Sequence, residues 1–130
     1  MSTKTIMIAD DSATMRSMLI ASIETLDDFR IIEAASGFEV LRLLPREHVD
    51  LIITDINMPD INGLELISYL RNNPNYRATP VFIISTEGSA KDVAKGKLLG
   101  ADEYLVKPFD PAHLQKLVTS YLNAEVEHIR

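Results

Sequence analysis

The chain has 130 residues, no cysteine, and a net charge of −6 from 13 basic and 19 acidic residues. This length suits one domain whose single core buries roughly two-thirds of the unfolded surface without a staple. Disulfides and thiolate metal sites are excluded, and the acidic balance argues against a nucleic-acid binder, which needs a basic face to neutralise phosphates.

In chain order, short apolar runs alternate with longer stretches of helical period. The runs are TIMIA (5–9), RIIEA (30–34), LIIT (51–54), VFII (81–84) and EYLV (103–106). They are rich in Ile and Val and bounded by Pro, Gly, Asp or Ser, which predicts strands. LIIT and VFII do not alternate, as expected of strands buried on both faces of a parallel sheet. A first helix carries Met15, Met18, Leu19, Ile23 and Leu26 on one face, with Ser12 as its N-cap and the methionines as core filler. Val40, Leu41 and Leu44 make a shorter stripe closed by Pro45; Leu66, Ile67 and Leu70 make a third, ending before Asn73-Pro74. Val93, Ala94 and Leu98 mark a fourth helix that ends at Gly100. Leu114, Leu117, Val118, Tyr121 and Leu122 mark a fifth, with Pro111 in its first turn and its end near residues 123 to 128. Five βα units in this order predict an α/β fold, a doubly wound parallel sheet of the flavodoxin-like type with strand order 2-1-3-4-5.

No apolar run reaches the ~20 residues needed to span a bilayer, and the start MSTKTIMIAD lacks the apolar region of a signal peptide. A cytoplasmic protein without membrane insertion is therefore expected. His48, His113 and His128 are scattered, without metal-ligand spacing, and read as surface residues.

In a parallel sheet every strand ends at the same edge. Asp10 and Asp11 follow the first strand, Asp55 the third, Ser85 and Thr86 the fourth, and Lys107-Pro108 the fifth, whereas the second strand brings only Ala35 and Ser36. Singly, each has an ordinary explanation as a helix-start acid, a turn former, a cap or a solvated lysine. Together they put three carboxylates, a hydroxyl and an ammonium beside the switch point, where open α/β sheets bind ligands. Three clustered carboxylates must protonate or share a cation. Hard oxygens without His or Cys favour Mg²⁺, Mn²⁺ or Ca²⁺; few protein ligands on short loops favour Mg²⁺, with a backbone carbonyl near Asn57 as a further donor. A carboxylate can attack phosphorus, with Lys107 and Ser85 as donors to the phosphoryl oxygens. The stretch LIITDINMPD thus reads as a buried strand delivering its reactive carboxylate, Asp55, to the sheet edge, followed by a loop with Pro59 and a second acid, Asp60.

Asp10-Asp11, Asp55 within DINMPDING, Ser85, and Lys107-Pro108-Phe109 resemble the receiver domain of two-component response regulators, the CheY-like superfamily. The resemblance spans nearly the whole chain, and "DDSATMR" and "NMPDINGLEL" are most similar to chemotaxis-type, single-domain receivers. It implies that Asp55 accepts a phosphoryl group from a sensor histidine kinase. It also implies that Asp11, Asp55 and the Asn57 carbonyl bind Mg²⁺, with Asp10 acting mainly through water, and that Ser85 and Lys107 contact the phosphoryl group. A cis Lys107-Pro108 bond follows from it, as do a switch residue at Tyr104 coupled to Ser85 and positions tuning dephosphorylation at Asn57 and Glu87.

Residues 1–130 are then expected to be one receiver domain without an output domain, monomeric, acting through protein contacts on the helix 4–strand 5–helix 5 face. Lys91, Lys95 and Lys97 lie in that fourth helix, and Gly96, costing roughly 1 kcal/mol against Ala, softens it enough to shift. A phosphatase is a further expected partner. A phosphorelay intermediate, a phosphate sink or a receiver cut from a larger regulator stay open as alternatives. A Mg²⁺-dependent aspartyl phosphatase is disfavoured because D-x-D is missing after the first strand; a flavin or nucleotide carrier is disfavoured because two aspartates stand where a phosphate-cradling loop would be.

Overall fold

The computed structural model describes residues 3–26 and 29–129. His128 lies outside the described side chains, which in the last helix extend to Leu122.

Five strands, β1 (Thr5–Ala9), β2 (Arg30–Ala34), β3 (Leu51–Thr54), β4 (Val81–Ser85) and β5 (Glu103–Val106), alternate with helices α1 (Ala13–Ile23), α2 (Gly37–Leu43), α3 (Gly63–Arg71), α4 (Ala90–Leu99) and α5 (Pro111–Ile129). All strand pairs are parallel, and the sheet order is β2-β1-β3-β4-β5. The predicted doubly wound fold and strand order are what the chain adopts. β1, β3 and β4 are buried along their whole length, while the edge strands β2 and β5 are partly exposed. Alternate residues feed two cores, as the pleat requires. Met7, Ile52, Val81 and Ile83 pack with Leu66, Ile67 and Leu70 of α3 on one face. Ile6, Ile8, Ile53 and Phe82 pack with Leu19 and Ile23 of α1 and Leu114 and Val118 of α5 on the other.

The helices begin where side chains replace missing backbone partners. Ser12 accepts from the Met15 N–H, Ser36 from Glu39, and Ser89 from Asp92. Asn62 and Glu65 form a reciprocal capping box at α3. α4 stops at Gly100, whose φ of 120° is open to glycine alone and whose Cβ would lie 2.7 Å from the Arg71 side chain. Pro45 does not simply end α2; it sits in a 3₁₀ turn, Leu44–Arg46, that continues it.

Two helix faces differ from the periodic reading. Met18 is 50% exposed and is not core filler, because Leu19 and Ile23 already occupy the contact of α1 with the sheet. In α4, Ala94 is exposed and Leu98 is 88% exposed; Gly96 is the buried residue. A Cβ on Gly96 would stand 2.9 Å from Tyr104 Cδ2 and 3.1 Å from Ile83 Cδ1. The helix therefore approaches β5 through a residue with no side chain, and the bulky aliphatic one turns to solvent. Gly96, expected to soften the helix, is required by packing.

Candidate functional site

Three strand ends converge at the carboxyl edge of the sheet. Ala9 pairs with Thr54, which puts Asp10 and Asp55 next to each other one residue later. The backbone confirms the alignment: the Asp55 N–H donates to the Ala9 carbonyl at 2.9 Å. Asp10, Asp11 and Asp55 each offer one carboxylate oxygen, and these three atoms lie within 4.8 Å of one another. Asp10 and Asp55 are buried, at 2% and 7% exposure, while Asp11 faces solvent. From the far side of β4, Lys107 extends its Nζ to 3.1 Å from Asp10 Oδ2 and 3.5 Å from Asp55 Oδ2. The Lys107 N–H is held by the Ser85 carbonyl at 2.8 Å, and the bond to Pro108 is cis.

Each buried acid is oriented by the backbone that follows it. Asp10 Oδ1 accepts from the Ser12 N–H at 2.9 Å, and Asp55 Oδ1 from the Ile56 N–H at 2.8 Å. Burial pushes the Asp55 carboxyl above its ordinary value; Lys107 pulls it down, Asp10 pushes it further up, and the Ile56 and Asn57 amides oppose that rise. The one ammonium offsets the crowding of three acids only in part. A divalent cation fits this donor set: carboxylate oxygens converge from two strand ends with no nitrogen or sulfur among them.

Ser85 is fully buried at the end of β4, and its hydroxyl accepts from the Glu87 N–H at 3.0 Å. Tyr104 is half-buried on β5, and its hydroxyl donates to the Glu87 carbonyl. Ser85 and Tyr104 are thus joined through the backbone of Glu87, whose side chain is exposed, like that of Asn57. Lys91, Lys95 and Lys97 are exposed on α4, with Leu98 and Val106 presenting apolar surface beside them.

Two residues of this edge are given no role by the sequence pattern. Arg16 donates from Nη1 to the Asp10 carbonyl at 2.6 Å and from Nε to Glu33 at 2.9 Å, tying α1 to the ends of β1 and β2. A lone Arg one turn into a helix carries no signal for that. Asp60 accepts from the Gly37, Phe38 and Ile61 amides at 2.9, 2.9 and 2.6 Å. Desolvation alone would raise its carboxyl, but these three amides and the Ser36 hydroxyl outweigh it and hold the group at about 2. An acid after Pro59 looks like any turn residue until α2 is in place.

The chain belongs to the response regulator receiver domains, whose family model matches residues 6–119. Within that family it is CheY-like. It is 36% identical over 118 residues to the "Chemotaxis protein CheY homolog" of Campylobacter jejuni, covering 90% of this chain and 91% of that protein. It is 31% identical over 117 residues to "Protein PilG" of Pseudomonas aeruginosa, covering 90% of this chain and 86% of that one. Among solved structures, the chemotaxis response regulator CheY4 of Vibrio cholerae superposes with a TM-score of 0.84 at 32% identity, over 93% of this chain and all of that one. Among the described residues, no helix is long and apolar enough to cross a membrane.

Proposed function

We propose that this protein is a response regulator of the cytoplasm whose receiver domain takes a phosphoryl group on Asp55 from a histidine kinase. In this reading it signals by protein contact in chemotaxis or another motility response. The observation that carries the proposal is the placement of Lys107 Nζ within 3.5 Å of Asp55 Oδ2, at an edge where three carboxylate oxygens lie within 4.8 Å. Similarity to a chemotaxis protein of the CheY type over about nine-tenths of each chain supports the chemotaxis assignment.

Asp55 Oδ1 is committed to the Ile56 N–H, so Oδ2 is the attacking oxygen. It forms the new O–P bond while the bond from phosphorus to the donor imidazole breaks, and the nitrogen keeps that electron pair. Lys107 moves from the carboxylates to a phosphoryl oxygen. Asp10, Asp11, Asp55 and the Asn57 carbonyl are the residues that would hold Mg²⁺, which when bound neutralises charge on the transferring group. Ser85 donates its hydroxyl to the added phosphoryl oxygens, and the Glu87 segment follows because Ser85 and Tyr104 both bond to its backbone. Moving a two-state element from mostly off to mostly on takes about 5.5 kcal/mol. One or two charge-assisted hydrogen bonds at ~1.5–3 kcal/mol each supply part of that, and partner binding on the α4–β5–α5 face supplies the rest. Asn57 and Glu87, exposed at the rim, set how readily water reaches the phosphoryl group.

Acetyl phosphate with Mg²⁺, followed by intact mass, tests the reading. One added phosphoryl group is expected in the native protein and none in Asp55→Asn. Equal labelling of both would place the acceptor elsewhere.

A further inference from the structure

We propose that Asp60 is a positioning residue for the cation site, clamping the β3–α3 loop onto the first turn of α2 and so fixing the Asn57 segment beside the acids. This rests on reading the edge as a Mg²⁺-dependent acceptor site.

The loop of residues 56–62 is pinned twice. At its start, the Ile56 and Asn57 amides turn to the Asp55 carboxylate, and the Gly63 N–H reaches back to the Ile56 carbonyl at 2.8 Å. Gly63 permits this closeness, since a Cβ there would stand 2.3 Å from the Asp55 carbonyl oxygen. At its far end, Asp60 crosses to a different element. Its Oδ1 accepts from Gly37 and Ile61, and its Oδ2 from Phe38, so one carboxylate grips both the loop and α2. Gly37 again leaves no gap: its Cβ would lie 2.6 Å from the Ile61 carbonyl oxygen and 2.7 Å from Ile61 Cβ. Between the two pins lie only Met58 and Pro59, and Met58 is itself buried in the core.

The clamp is not needed to begin α2, because the Ser36 hydroxyl already accepts from the Glu39 N–H. Its effect falls on the loop. A carboxylate that accepts three amide donors is held in one orientation, and so is the backbone that carries it. Cation affinity depends on such outer residues because they orient the ligands that touch the ion. Asp60 therefore raises the affinity of the Asp10–Asp11–Asp55 edge without contacting it, and links that affinity to the seating of α2.

The test is titration of the full chain with Mg²⁺, followed by calorimetry or amide chemical shifts, without phosphorylation. Asp60→Ala and Gly37→Ala break the same clamp from its two sides, and each is expected to weaken Mg²⁺ binding about ten-fold. Asp60→Asn, which keeps one acceptor oxygen and the shape, is expected to fall between them and the native protein. Asp102→Asn, which loosens the opposite end of the sheet, is expected to bind Mg²⁺ as the native protein does. Unchanged affinity in Asp60→Ala and Gly37→Ala would overturn the clamp alone. Equal weakening in Asp102→Asn would do so too, because general loosening would then explain the loss. Should Asp60→Ala fail to fold, Asp60→Asn and Gly37→Ala decide. A native protein that binds no Mg²⁺ would remove the functional reading together with the clamp.

Discussion

Acids stand at both ends of the sheet, and the two ends use them in opposite ways. At the amino end, Asp50 precedes β3 and accepts from the first N–H of β1, Thr5, at 2.8 Å, with His48 on its other oxygen. Asp102 precedes β5 and accepts from the first N–H of β4, Val81, at 2.8 Å. Its same oxygen takes Arg71 Nη2 at 2.9 Å, and that guanidinium also holds the Gly100 and Thr79 carbonyls. There each carboxylate starts a neighbouring strand. At the carboxyl end, one oxygen from each of three carboxylates lies within 4.8 Å of the others, and one lysine reaches two of the acids. Satisfied acids stabilise a fold, and crowded ones strain it in return for a site.

The contrast implies opposite signs for the same kind of substitution. Asp102→Ala removes the acceptor of Val81 and of Arg71 and is expected to cost about 2 kcal/mol in urea unfolding. Asp11→Asn relieves like-charge repulsion at an exposed position and is expected to raise the stability of the metal-free protein by about 0.5 kcal/mol. Both are read with a chelator present. A loss of stability in Asp11→Asn would mean that this acid is as much a structural partner as Asp102.

Gly96 sharpens the same contrast between packing and function. Replacing a helical glycine by alanine ordinarily gains roughly 1 kcal/mol. Here the new methyl would meet the Tyr104 ring and Ile83, both within 3.1 Å of its position. Overpacking of this kind costs about 1–3 kcal/mol. The expected net change for Gly96→Ala is a loss of about 1 kcal/mol, with the Tyr104 ring resonances shifted as its bond to Glu87 is displaced. A clean gain in stability would restore the view that Gly96 merely softens α4.

How much of this was legible follows from which physics each feature uses. Strand limits and order follow from apolar runs and turn residues, which are local. β1, β2, β3 and β5 match the predicted runs, and β4 gains only Ser85. Asp10, Asp11, Asp55 and Lys107 are legible because parallel topology sends all strand ends to one edge. What does not show is anything set by contact between distant elements. The buried face of α4 is carried by a glycine, so Ala94 and Leu98 of the apolar stripe turn to solvent. Asp60 and Asp102 look alike in the chain, each an acid in a loop, and only their partners at Gly37–Phe38 and Val81–Arg71 tell them apart.

Asp60 gives the smallest effect and the one that joins the two ends. It is exposed like a surface acid, yet satisfied like the acids at the amino end, and it lies on the loop that follows Asp55. Its carboxyl is held at about 2 against an ordinary 3.8, so its ionised form is favoured by folding. The stabilisation it lends is complete above the ordinary value and is lost as pH falls through the folded one. Urea midpoints of the native protein and Asp60→Asn should therefore differ by a constant amount down to about pH 4 and then converge as pH approaches 2. A gap that stays constant to the lowest pH would show that the oxygen's shape, and not its charge, holds the loop. The proposed clamp would then rest on the acceptor oxygen that acid and amide share, taking the Gly37 and Ile61 N–H groups, and charge would matter only where the acids outnumber their partners.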